Sequence, residues 1–356
     1  MESFVPLTVK QIERLAPDAV AVEFDVPEPL RSAFAFTAGQ HLILRHTFDG
    51  EEVRRSYSLA STPRSGRWIV GIRKIPNGRF STWANQQLAP GMTVEALPPQ
   101  GRFQFRPDPD AKRHLVAFAA GSGITPILSI VATALAEEPQ SRVTLFYGNR
   151  TRASAMFLET IEDLKNRYPD RFLLIPLFSR EPQEFPLLFE GRLDEAKTRT
   201  LLSAFFPEPE AIDIVYLCGP NAMIDGVEAA LLAHGVARDR IHHERFGAPE
   251  SAPPTHAEPQ DATAATIRVI VDGITREFPY PGGATPILDA ALAAGIALPY
   301  SCKNGVCCAC RAKVVAGRVR MDKNYSLESE DLEAGFVLTC QAHPLTEQVT
   351  LSFDER

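Results

Sequence analysis

At 356 residues, with 45% apolar and 23% charged side chains, the chain is long enough for two or three globular domains of ordinary composition. Its net charge of −7 argues against nucleic-acid binding as the main task. No run is long or apolar enough to cross a membrane, and the N-terminus lacks the basic-then-apolar pattern of a signal peptide. The thiols are therefore expected to be free, in a reducing cytoplasm.

In chain order, the first hundred-odd residues predict an antiparallel β-barrel. Short strands at Leu7–Val9, Val20–Phe24, His41–Leu44, Ser56–Leu59, Trp68–Ile72 and Thr93–Leu97 are divided by Pro, Gly and Asp-Gly turn signals. Near Asp108–Asp110 the pattern changes to strands alternating with helices. His114–Ala119 leads to a helix ending near Ala136, Val143–Tyr147 to Met156–Tyr168, Phe172–Phe178 to Leu193–Phe205, and Ile214–Cys218 to Asn221–His234. That alternation predicts βαβ units and a parallel sheet covered by helices. A stretch rich in Pro and Ala follows at 248–264, too poor in bulky apolar residues to fold, and reads as an extended tether. The last unit opens with strands Thr266–Val271 and Arg276–Phe278 and a helix Pro286–Ala294. The boundaries predicted are 1–107, 108–247, 248–264 and 265–356.

Three sets of residues carry chemistry. Arg55, Tyr57 and Ser58 can offer a flavin a cation for its pyrophosphate, an aromatic for its ring and a hydroxyl for its polar edge. Arg73 and Lys74 add cations, and Ser81 and Thr82 begin a helix whose N–H groups suit a phosphate; the plain alternative is a helix cap without a ligand. Gly121 and Gly123 lie between a strand and a helix, where a dinucleotide backbone can approach closely; Gly219 and Pro220 form a second turn after a strand. Cys218 either faces a nicotinamide or is a buried thiol. Finally, Cys302, Cys307 and Cys310 with a distant Cys340 show the Cys-x4-Cys-x2-Cys…Cys spacing of a plant-type 2Fe–2S site. Zinc is the alternative, although it normally takes two close pairs of ligands. Cys308 breaks the spacing and reads as a spare thiol.

Arg-Ser-Tyr-Ser, Gly-Ser-Gly-Ile-Thr-Pro, Cys-Gly-Pro and Glu244-Arg245-Phe246-Gly247 resemble the ferredoxin–NADP reductase superfamily, and Leu298–Cys302 with Thr339–Gln341 resembles a fused plant-type ferredoxin. More narrowly, Gly39–Leu42, Glu52–Ser58 and Phe80–Asn85 resemble the reductase components of phenylacetyl-CoA epoxidases. The resemblance implies a flavin barrel, an α/β nucleotide domain and an α+β, β-grasp-like ferredoxin domain. It implies FAD held by Arg55, Tyr57, Ser58, Arg73, Lys74, Ser81 and Thr82, and a nicotinamide nucleotide lined by Gly121, Gly123, Thr125, Cys218, Gly219 and Pro220. Phe246 falls where the superfamily stacks an aromatic on the flavin. Ser179-Arg180 resembles the pair that grips the 2′-phosphate of NADPH, with Arg150 and Arg152 as added charge.

The expected activity is transfer of a hydride from NADPH to FAD, then single electrons through the 2Fe–2S centre to an oxygenase, with a di-iron phenylacetyl-CoA epoxidase as the implied acceptor. NADH-dependent reductases of steroid or aromatic hydroxylases share the domain order. A stand-alone flavin oxidoreductase and a non-catalytic electron-transfer module are the other classes.

Overall fold

A computed structural model describes residues 4–181, 187–247, 261–262 and 264–355. Its contacts divide the chain into a unit spanning Phe4–Glu244 and a second one formed mainly by Arg245–Arg356. Most of the predicted tether lies outside the described residues.

The first unit begins with six strands: β1 (Val5–Ala16), β2 (Ala19–Asp25), β3 (His41–Phe48), β4 (Glu51–Ser58), β5 (Trp68–Arg73) and β6 (Thr93–Ala96). They pair antiparallel in the order β4-β3-β6-β1-β2-β5, and an antiparallel bridge from Leu59 to Val70 joins the two ends into a barrel. The β3–β4 hairpin turns at Asp49 and Gly50, both with positive φ (51° and 82°), the geometry a two-residue loop needs to match strand twist. The strands run longer than their apolar cores predicted, because antiparallel pairing extends into polar residues with one face in water. One helix, α1 (Arg79–Gln86), crosses between β5 and β6 and buries Phe80 and Trp83.

Five parallel strands follow: β7 (His114–Ala120), β8 (Arg142–Asn149), β9 (Phe172–Phe178), β10 (Ile214–Cys218) and β11 (Ile241–Glu244), in the order β11-β10-β7-β8-β9. The helices between them are α2 (Ile124–Glu137), α3 (Leu158–Arg167), α4 (Glu195–Phe205) and α5 (Asn221–His234). The chain steps outward from β7 to β9 and then returns to β10 on the other side. The carboxyl ends of β7 and β10 therefore form the switch point where α/β sheets bind ligands. Barrel and sheet share one core, in which Ala19, Ala21 and Ala60 pack with Ile124, Ile127 and Ile130 of α2. The joint is also hydrogen-bonded: Ser129 Oγ donates to the Ser61 carbonyl at 2.7 Å and Tyr216 Oη to the Gln104 carbonyl at 3.0 Å.

The second unit contains β12 (Ala265–Val271), β13 (Ile274–Tyr280), α6 (Ile287–Ala293), β14 (Arg311–Ala316), β15 (Val319–Met321), α7 (Ser329–Glu333), β16 (Phe336–Leu338), β17 (Ala342–Pro344) and β18 (Gln348–Ser352). Its main sheet runs β13-β12-β18-β14-β16, with β12 and β18 parallel and the other pairs antiparallel; β15 and β17 form a separate ribbon. Asp272-Gly273 repeats the turn chemistry of Asp49-Gly50, with φ of 53° and 72°. A buried chain of polar groups fastens the ribbon: His343 Nε2 lies 3.0 Å from Asp322, and Arg320 grips both Asp322 and Asp261. The cysteine loop spans the gap between α6 and β14.

Candidate functional site

The switch point is built by close approach. A Cβ on Gly123 would fall 2.1 Å from the Cys218 carbonyl oxygen, so the loop after β7 can meet the end of β10 only because that position is glycine. Gly121 adopts φ +56°, and a Cβ on Gly219 would meet Met223 and the Ala120 nitrogen. The two glycine turns predicted separately thus close on one another. Thr125 is buried, and its hydroxyl donates to the Ser122 carbonyl at 3.0 Å, closing the first turn of α2.

Ser58, at the end of β4, is buried and donates from Oγ to Glu244 Oε2 at 3.1 Å. Glu244 ends β11 and stands in register with Cys218 on β10. Burial, reinforced by the Glu244 charge, pushes the Cys218 thiol well above its usual range and keeps it protonated. His41 Nδ1 lies 3.8 Å from Glu244 Oε1, and its buried Nε2 has no hydrogen-bond partner among the described residues. Barrel and sheet therefore bring a hydroxyl, a carboxylate, a neutral thiol and an imidazole to one place. Glu244, in sequence only the start of the Glu244–Gly247 motif, joins the site through its bond to Ser58.

Beside Ser58, Tyr57 is half-buried against Phe80, ring centroids 5.5 Å apart, and burial raises its phenol so that it remains a hydrogen-bond donor. Arg55 is exposed, its Nη1 resting on the neighbouring Arg54 carbonyl at 2.7 Å. Of the other expected flavin contacts, Arg73 and Ser81 have protein partners. Arg73 bonds both Asp18 carboxylate oxygens, at 2.9 and 3.0 Å, and the Ser154 carbonyl at 2.6 Å, which makes it a tie between barrel and sheet. Ser81 Oγ accepts from the Ile75 N–H and donates to the Gly78 carbonyl, both at 3.2 Å, so it knits the turn into α1. Thr82 is half-buried, with its N–H in the first helical bond to Gly78; Lys74 is exposed. Phe246 is 45% exposed.

At the far edge, the ladder between β8 and β9 continues past both strand ends. Ser179 N–H donates to the Asn149 carbonyl at 3.0 Å and Arg180 N–H to the Arg150 carbonyl at 2.8 Å, aligning Arg150 and Arg180. Both arginines are exposed. Arg152 is spent on Glu162 at 2.6 Å, while its backbone N–H holds the Glu181 carboxylate at the same edge, also at 2.6 Å.

In the cysteine loop, Lys303, Gly305 and Cys308 all take positive φ (54°, 75° and 55°), folding the segment back on itself. The four predicted ligands stand as two hydrogen-bonded pairs. Cys302 accepts from the Cys307 thiol, which with backbone N–H donors brings it down to about 6. Cys340, paired with Cys310, is likewise lowered, whereas Cys307 and Cys310 are raised by their partner thiols and by burial. A two-by-two set of thiols with inward N–H groups fits one pair per iron of a binuclear cluster. Cys308 turns away, its Sγ donating to the Ser326 carbonyl at 3.3 Å.

The chain matches three family models in succession: an oxidoreductase FAD-binding domain over residues 6–105, an oxidoreductase NAD-binding domain over 118–229 and a 2Fe-2S iron-sulfur cluster binding domain over 269–345. It is 44% identical to one of the subunits of the 1,2-phenylacetyl-CoA epoxidase of Escherichia coli (strain K12), covering 100% of this chain and 99% of that one. It is 35% identical to the ferredoxin reductase component of 3-ketosteroid-9-alpha-monooxygenase of Rhodococcus rhodochrous, covering 98% and 97%. The solved structure of phthalate dioxygenase reductase shares the fold at a TM-score of 0.57 and 22% identity, over 99% of this chain and 98% of that one.

Proposed function

Because the chain belongs to the oxygenase reductases that join FAD-binding, NAD-binding and 2Fe–2S domains, we propose that it draws electrons from NADPH and delivers them to a phenylacetyl-CoA epoxidase in aerobic phenylacetate breakdown. The observation that carries this reading is the end-to-end match to the epoxidase polypeptide of Escherichia coli. The acceptor is a di-iron oxygenase, the setting is the cytoplasm, and the domains divide at 1–107, 108–247, 248–264 and 265–356. Bound flavin would take the two electrons of one hydride, and the cluster would pass them on singly.

The chain's own residues support that chemistry. Tyr57 would lie against the flavin, with Arg55 near its phosphates. Ser58 Oγ, bonded to Glu244, can hold or pass a proton at the reacting edge, and the neutral Cys218 thiol presents no charge to the nicotinamide. Phosphate would meet the N–H groups at the start of α1 and at the Gly121–Gly123 turn.

NADPH is favoured by Arg150 and Arg180, two exposed guanidiniums aligned where the adenosine ribose is expected. Glu181, anchored at the same edge, favours a second reading in which a carboxylate bonds the free ribose hydroxyl of NADH. Steady-state kinetics with both coenzymes separate the two. Arg180→Ala is expected to raise KM for NADPH about tenfold, the cost of one charge-assisted bond, and to leave NADH nearly unchanged. A parent enzyme that prefers NADH, or a variant weakened equally toward both, would overturn the assignment.

A further inference from the structure

Gln341 follows Cys340 directly and is 1% exposed. Its Nε2 donates to the Cys340 carbonyl at 2.7 Å and the Lys303 carbonyl at 3.0 Å, and lies 3.5 Å from Cys340 Sγ. Three acceptors around one atom fix which end of the amide points inward. The other end, Oε1, is buried with no hydrogen-bond partner among the described residues. Packing alone would not retain an unmatched polar group here, since an apolar side chain of the same size carries no such cost.

Lys303 supplies the reason for an amide. Its φ of 54° is unfavourable for a residue with a side chain, and its ion pair with Asp289 at 2.7 Å is formed between partly exposed groups and holds it weakly. The inner restraint is the bond from Gln341 to its carbonyl. Two residues on, Gly305 lies so near that a Cβ would stand 3.3 Å from Gln341 Cγ.

We propose that Gln341 is a positioning residue of the iron–sulfur centre. Its amide locks the Lys303 carbonyl, keeping the segment between Cys302 and Cys307 in register with Cys340. Its N–H also draws negative charge from Cys340 Sγ and so raises the cluster's reduction potential. The inference rests on the 2Fe–2S reading, which iron content of the purified parent chain tests separately.

The test is Gln341→Met in the full chain, which keeps length and removes both N–H groups. By spectroelectrochemical titration the cluster potential should become more negative, and iron release to a chelator should quicken up to about tenfold, the loss of the one buried bond to the Lys303 carbonyl. Adding Lys303→Gly, where glycine needs no clamp, should restore iron retention and leave the potential lowered. A Gln341→Met chain matching the parent in potential and iron release overturns the proposal. If that variant takes up no iron, the double variant decides: recovered iron supports the clamp, and continued loss overturns it. A parent chain that purifies without iron removes the reading beneath both.

Discussion

The cysteine loop and the switch point of the first unit both gather polar groups, at very different distances along the chain. In the loop three of the four candidate sulfur donors lie between positions 302 and 310, in a segment that positive φ at three residues folds back on itself. At the switch point Ser58 meets Glu244 across 186 positions, and the meeting depends on a barrel, a parallel sheet and a glycine at position 123 that lets two turns touch. A local site can be specified by spacing alone. A distributed one is specified by the fold, and substitutions should disturb the two in different ways.

The largest expected effect lies in the loop. Cys307→Ala should abolish iron incorporation, because one pair of donors is broken, while FAD binding and flavin reduction persist in a unit with its own core. Cys308→Ala should keep the cluster, since its thiol faces the Ser326 carbonyl. Iron content and flavin absorbance measure both, and loss of iron from Cys308→Ala would reverse the ligand assignment.

The next effect sharpens the other half of the comparison. Glu244→Gln keeps the shape of the side chain but removes the charge that Ser58 donates to, and should slow flavin reduction by the nucleotide about a hundredfold, the scale of lost acid–base assistance. Stopped-flow absorbance reads the rate, and iron content should not change. A rate within about twofold of the parent's would mean that the 186-position contact is structural only.

The same difference in reach decides what is legible in the sequence. The barrel, the βαβ alternation and the spacing of Cys302, Cys307, Cys310 and Cys340 are patterns of a few residues, as are the helix Asn221–His234 and the hairpin signals. Arg73 and Ser81 show the limit of short patterns: a cation or hydroxyl near a phosphate motif looks the same in sequence whether or not it also has a protein partner. Only the fold shows Asp18 and Ser154 around Arg73, or the Ile75 N–H on Ser81. The short strands β14 to β18 escape because each holds few apolar residues and their pairing is set by distant partners, as when β18 enters beside β12.

The smallest expected effect concerns how electrons leave. The acids Glu328, Glu330, Asp331 and Glu333 read as one patch in sequence, but the structure divides them. Asp331 is buried, bonded to Arg311 at 3.0 Å and to the Glu328 N–H at 3.1 Å, and Glu328 in turn caps α7. That leaves Glu330 and Glu333, exposed on either side of Leu332, which is 44% exposed. If this face docks a basic acceptor surface, Glu330→Gln with Glu333→Gln should slow delivery to the oxygenase severalfold in dilute buffer. The gap should vanish at about 0.5 M salt, where the screening length is only a few ångströms. Flavin reduction should be unchanged in the same variant, because the substitutions lie in the second unit. Delivery that ignores both salt and the substitutions would make the two glutamates an ordinary solvated face and leave the cluster's exit to be sought around Cys302 and Cys307, the more exposed of the two thiol pairs.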